Sequence, residues 1–75
     1  MRALVELLVR SLVDEVEAVD VQEHADVGFF RYEVRVAPGD VGRLIGRQGR
    51  TIRAVRQVVR AAALKDGVQV RVEVV

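Results

Sequence analysis

The chain has no cysteine and no tryptophan, and among its 75 residues only one proline, one histidine, one lysine and three aromatic side chains. Without cysteine, neither a disulfide nor a thiolate metal site can staple the fold, which fits a reducing cytoplasm as the expected location. The single histidine, His24, has no set of Asp or Glu around it at metal-ligand spacing, so no metal and no cofactor are expected. Ser11 has no base in reach along the sequence, and Asp14, Glu15 and Glu17 belong to one solvated acidic stretch. No catalytic centre is expected from such residues. No apolar run approaches the roughly 18 residues of a membrane span. The first stretch carries Glu6, Arg10 and Asp14 through its apolar positions, unlike a secretory signal, so the chain reads as soluble, unprocessed and without a membrane partner.

About half of the residues are apolar, most of them Val, Leu, Ile and Ala. A chain of this length makes one domain, residues 1–75, and buries only about 60% of the surface it exposes when unfolded. Its core must therefore be efficient. The net charge of +1 hides a split along the sequence. Residues 1–40 carry four basic and nine acidic side chains, and residues 41–75 carry eight basic and two acidic. Six arginines and no acid fall within 43–60. A basic field concentrated in this way is the footprint of a polyanionic partner; the plainer alternative is a solvated helix face.

The spacing of apolar residues predicts six elements. A helix over 2–14 has a broad apolar face of Leu4, Leu8 and Leu12, joined by Val5, Leu7 and Val9, with Arg2, Glu6, Arg10 and Asp14 repeating on the other side. A strand follows near 19–24, then a turn over 25–28 in which Gly28 supplies a positive φ. The strand over 29–36 alternates Phe30, Tyr32, Val34 and Val36 with Arg31, Glu33 and Arg35, the pattern of a sheet covered on one face. Ala37-Pro38-Gly39 stops it, and Asp40 is placed to cap a short helix over 41–45. A longer helix over 50–64 puts Ile52, Val55, Val59 and Ala62 on one side, and Arg53, Arg56 and Arg60 opposite. The last strand, 68–74, turns four valines to one face. Strands one and two should pair antiparallel, and strands two and three parallel if they are adjacent. The expected fold is α+β with two layers, a three-stranded mixed sheet covered on one face by three helices.

Between the two later helices lies Gly46-Arg47-Gln48-Gly49. A glycine at each end permits a sharp reversal and close approach of another backbone. The next helix begins there, so its unpaired N–H groups and positive dipole end favour phosphate at the loop. Arg43, Arg47 and Arg50 add full charges nearby. The same glycine spacing also suits a tight turn with no ligand. Other phosphate motifs fit worse, because no G-x-x-x-x-G-K-[ST] run exists and the loop follows a helix rather than a strand. Nor do Phe29, Phe30 and Tyr32 match the sheet aromatics of an RRM.

Leu44-Ile45-Gly46-Arg47-Gln48-Gly49-Arg50-Thr51-Ile52 resembles the signature of the K-homology (KH) domain, an apolar pair, G-x-x-G, then two residues and an isoleucine. The element order resembles the type II arrangement of that family, helix-strand-strand-helix-helix-strand. The resemblance runs through nearly the whole chain and is strongest toward small stand-alone bacterial KH proteins of the KhpA kind. It implies a type II KH fold that holds about four nucleotides of single-stranded RNA, with the loop clamping the backbone. By position, Gly46, Arg47, Gln48 and Gly49 would contact phosphates, and Arg50, Arg53 and Arg43 would steer or touch the strand. Val41, Leu44, Ile45 and Ile52 would line the groove or the core beneath it. Arg56 and Arg60 would lie further off, as long-range field or in solvent. The resemblance also implies an RNA chaperone or post-transcriptional regulator that forms a homodimer or a heterodimer with another KH-domain protein. The alternative is an adaptor that docks on a larger KH-containing partner, with RNA contact secondary.

Overall fold

The computed structural model describes all residues, Met1–Val75. Three helices, α1 (Arg2–Leu12), α2 (Val41–Ile45) and α3 (Arg50–Lys65), cover one face of a sheet made of β1 (Asp20–Asp26), β2 (Phe29–Arg35) and β3 (Gln69–Val74). The strand order is β1-β2-β3. β1 runs antiparallel to β2, while β3 runs parallel to it after the two-helix crossover. Element order and architecture are those expected of a type II KH fold.

The core follows the periodicities of the sequence. α1 contributes Val5 and Val9, β2 contributes Tyr32 and Val34, and α3 contributes Val59, all fully buried. Leu44 of α2 joins them with no exposed surface. Burying a side chain of this kind is worth about 1.5–3 kcal/mol, so a dozen of them hold a small domain without any covalent staple.

Four local expectations are corrected. α1 stops at Leu12 rather than at residue 14, because Val13 turns extended (φ −111°, ψ 159°) and sends its side chain into the core. β1 continues to Asp26, since the hairpin needs only Val27 and Gly28; Gly28 takes φ +68° and Asp26 Oδ1 accepts the Val27 N–H at 2.8 Å. On α3, Ala63 is the buried residue and Ala62 only partly so. Eleven residues complete three turns and return Ala63 almost above Ile52.

The fourth correction concerns Asp40. It precedes α2 as expected, but its side chain makes no capping bond there. Instead the carboxylate is buried and accepts the backbone N–H groups of Asp14 at 3.3 Å and Glu15 at 3.0 Å. Those two donors lie just beyond the end of α1. Asp40 thus ties the α1–β1 connection to the segment that launches α2, and so fixes where the glycine-flanked loop begins.

Candidate nucleic-acid interface

The loop is shaped by three residues with positive φ. Gly46 closes α2 at φ 77°, ψ 169°, donating its N–H to Gly42 O at 2.9 Å. Gln48 (φ 57°, ψ 26°) and Gly49 (φ 73°, ψ 17°) are both left-handed, and the Gly49 N–H returns to Gly46 O at 3.1 Å. Gln48 is the one non-glycine residue of the chain with a positive φ. Such a conformation costs a side-chain-bearing residue about 1–2 kcal/mol, which the surrounding fold must supply.

The loop delivers the chain to the N-terminus of α3 with Gly49 in the capping position and no side chain satisfying the first turn. The Gly49 and Arg50 N–H groups turn back on Gly46 O and Arg47 O. The positive end of this 16-residue helix and its remaining N–H groups therefore face the loop, where they favour an anion. Arg53 reaches back from the first turn, its Nη2 donating to Gln48 O at 3.3 Å, and braces the loop from its exposed side. Arg47 and Arg50 are exposed on either side of Gly49.

Space redistributes the charges that the sequence grouped together. Arg43 is paired, with Nη2 3.0 Å from Asp14 Oδ2 and Nε 3.8 Å from Asp40 Oδ1. Two carboxylates from outside the acid-free segment thus offset its charge. Arg47, Arg50, Arg53, Arg56 and Arg60 have no carboxylate within ion-pair distance. Arg56 is not the distant solvent charge expected of it. It is half-buried, and its Nε donates to Val72 O of β3 at 3.0 Å.

The apolar candidates divide as well. Leu44 is fully buried and Ile52 is 5% exposed, so both are core and neither offers a surface to a ligand. Val41 and Ile45, one turn apart on α2, are half-buried against that core and keep apolar surface next to the loop. Thr51 had no signal in the sequence, yet its side chain packs directly against Gly46. No group of His, Asp or Glu is arranged to hold a metal ion.

A family model described as KhpA/KhpB, KH domain, matches residues 2–74. The chain is 44% identical over its full length to an RNA-binding protein KhpA of Clostridium perfringens, all of which is covered. It is equally similar to the protein of that name from Halalkalibacterium halodurans, of which 99% is covered, and 43% identical to one from Caldanaerobacter subterraneus, covered in full. Among solved structures, a crystal structure of an Aquifex aeolicus Era variant bound to GDP and aluminium fluoride superposes with a TM-score of 0.68 at 18% identity. That match spans 97% of this chain and 28% of Era, and speaks to the fold alone. Loop, fold and full-length sequence similarity agree: the chain belongs to the KhpA/KhpB KH-domain family, a family of binding domains rather than enzymes.

Proposed function

We propose that the protein binds single-stranded RNA by clamping its backbone at Gly46–Gly49, as an RNA chaperone or post-transcriptional regulator. The observation that carries this reading is the uncapped start of α3, reached through a left-handed loop and flanked by arginines without carboxylate partners. Orphan N–H groups and unpaired guanidinium groups suit phosphate oxygens. Val41 and Ile45 offer an apolar strip beside the clamp, on which unstacked bases can rest. The choice of RNA over DNA rests on the relatives, which are named RNA-binding proteins.

The test is a titration of labelled single-stranded RNA with the wild type and with an Arg47→Asp/Gln48→Asp variant of matched circular dichroism. Loss of binding in the variant supports the clamp. Equal binding by two equally folded proteins overturns it.

A second reading, an adaptor that dimerises or docks on another KH-domain protein, is favoured by the opposite side of α3. Leu8 and Leu12 of α1 and Ala54 and Val58 of α3 line an apolar crevice between the two helices. Val58 is 47% exposed and Leu7 nearby on α1 is 64% exposed. The two readings use different faces of α3 and are compatible. Sedimentation of the wild type and of Val58→Asp tests the second: a single monomeric species in both overturns self-association through this face.

A further inference from the structure

We propose that the strand clamped at the loop continues along α3, and that a base beyond the clamp seats in a second pocket where α3 ends and β3 begins. This inference rests on the RNA-binding reading and extends its site.

The arginines without carboxylate partners do not stop at the loop. Arg53, Arg56 and Arg60 recur at steps of three and four along α3, which places them on one side of the helix. From Arg50 to Arg60 the track is about 15 Å long at the helical rise per residue. That is the length of roughly four stacked nucleotides. Its direction is set by Arg56, whose Nε is held by Val72 O while both Nη groups have no protein partner. The track therefore overlooks the crevice between α3 and β3, not open solvent.

At its far end the surface changes character. Leu64 lies one turn beyond Arg60 on the same side of α3 and is 81% exposed. Together with the floor residue Ala63, with Val68 just before β3 and with Gln69 and Val70 of β3, Arg60 and Leu64 line an open cleft of about 290 Å³. That volume lies at the small end of ligand pockets, suited to one ring system rather than to a large molecule.

The electrostatics of this end suit a base rather than a phosphate. The C-terminus of α3 carries the negative end of the helix dipole with Asp66 directly after it, and Lys65 of the last turn offsets that charge, which leaves no concentrated positive field at this end. An uncharged ring meets no penalty there. The chain has no aromatic side chain at this place, but an arginine plane also stacks on bases. Arg60 above an apolar floor of Ala63 and Val70 supplies that arrangement, with Leu64 as the outer wall.

The experiment compares the affinities of labelled oligouridylates of about four and about eight nucleotides for the wild type, Leu64→Ser and Arg60→Gln. Leu64→Ser changes no charge, and at an exposed position it leaves the fold intact. A third probe is the longer oligonucleotide with the bases, but not the phosphates, removed from either end in turn. A stacked base contributes about tenfold or more in affinity. The wild type should therefore gain about that factor on lengthening, above the gain from extra registers. Leu64→Ser and Arg60→Gln should lose the gain while binding the short RNA nearly unchanged, and removing the bases from one end should abolish it. A length gain equal in all three proteins, or one that survives base removal at both ends, overturns the second pocket and leaves the clamp standing. Failure of the folded wild type to bind either oligonucleotide overturns the clamp, and the pocket with it.

Discussion

A side chain on Gly46 would collide with Thr51: a Cβ built there stands 2.2 Å from Thr51 Oγ1, 2.7 Å from its Cβ and 2.8 Å from its backbone nitrogen. Gly46 is therefore doubly constrained, by φ +77° and by the close approach of the first turn of α3. Gly49 shares the positive φ of +73° but has room, with Arg53 Nη2 as the nearest group at 3.8 Å. The two glycines that look equivalent in the sequence do different jobs. One admits another element; the other only bends.

Substitution by alanine separates them. Gly49→Ala meets only the backbone preference, a cost of about 1 kcal/mol. Gly46→Ala adds the collision and should cost about 2–4 kcal/mol, since the loop or the α3 turn must shift. Adding Thr51→Ala does not rescue it, because the Thr51 Cβ and backbone nitrogen remain too close. Urea denaturation of the three variants checks the ranking, and equal destabilisation by the two glycine changes would contradict it.

Asp40 yields a stability prediction of another kind. Its buried carboxylate accepts two backbone N–H groups at 3.0 and 3.3 Å, from residues 25 and 26 positions away in sequence. Asp40→Ala leaves both donors without their partner, at about 2–4 kcal/mol given 1.5–3 for each bond to a charged group and partial rescue by water. Asp40→Asn keeps an acceptor oxygen but loses the charge and should fall between. Arg43→Ala removes an exposed ion pair to Asp14 and a longer, 3.8 Å contact from the exposed guanidinium to the buried Asp40, and should cost about 1 kcal/mol. Thermal unfolding with matched buffers reads the order Asp40→Ala, Asp40→Asn, Arg43→Ala.

What was legible in the sequence was whatever repeats locally. Alternation through β2 to Val36 and the helical spacing of Ile52, Val55 and Val59 named half of the core, and the paired glycines named the loop. The contacts that escaped are those between residues far apart in the chain. Asp40 looked like a cap for the helix that follows it, because capping is a local rule; its actual partners sit across the fold. The acid-free segment suggested that Arg43 was free, yet Asp14 and Asp40 arrive from outside it. A helical wheel sets Arg56 opposite the apolar side of α3 and knows nothing of β3, whose Val72 carbonyl it holds. Leu44 shows the complementary ambiguity, since an apolar residue beside a binding loop reads the same whether it lines a groove or fills the core; here it fills the core.

Tyr32 should make stability fall at alkaline pH. Burial is the main cause of its raised phenol pKa, reinforced by its hydrogen bond to Glu23 Oε1 at 2.8 Å and by the negative charge of that residue. Because the folded-state value lies above the unfolded one, this contribution is complete below pH ~10 and is lost as pH rises through the folded-state value. Over that window stability should fall by up to about 1.4 kcal/mol per pH unit. The chain has no cysteine, no other tyrosine and a single lysine, so one phenol dominates the slope. Tyr32→Phe should cost about 1 kcal/mol at neutral pH through the lost hydrogen bond and flatten the decline above pH ~10. A decline of the same steepness in Tyr32→Phe, measured by urea denaturation across pH 8–12, would assign it elsewhere.

The pairing of Arg43 makes the arginines unequal in binding, and salt dependence measures the inequality. A guanidinium that neutralises a phosphate releases counterions, so each contact steepens log affinity against log salt by about 0.7 for a single strand. Arg47 and Arg50 enter binding unpaired, and converting either to Gln should lower affinity severalfold and reduce the slope by roughly that amount. Arg43 begins between Asp14 and Asp40, 3.0 and 3.8 Å away, and must exchange those carboxylates for a phosphate to gain anything. Arg43→Gln should therefore leave the slope nearly unchanged. The reciprocal change is more telling. Asp14→Asn removes the closer, 68% exposed partner, so Arg43 becomes freer to reach RNA. Affinity should then rise at low salt and the slope should steepen. Fluorescence anisotropy over a range of potassium chloride concentrations separates the cases: equal slopes for Arg43→Gln and Arg47→Gln would mean that the ion pair seen in the free protein gives way on binding.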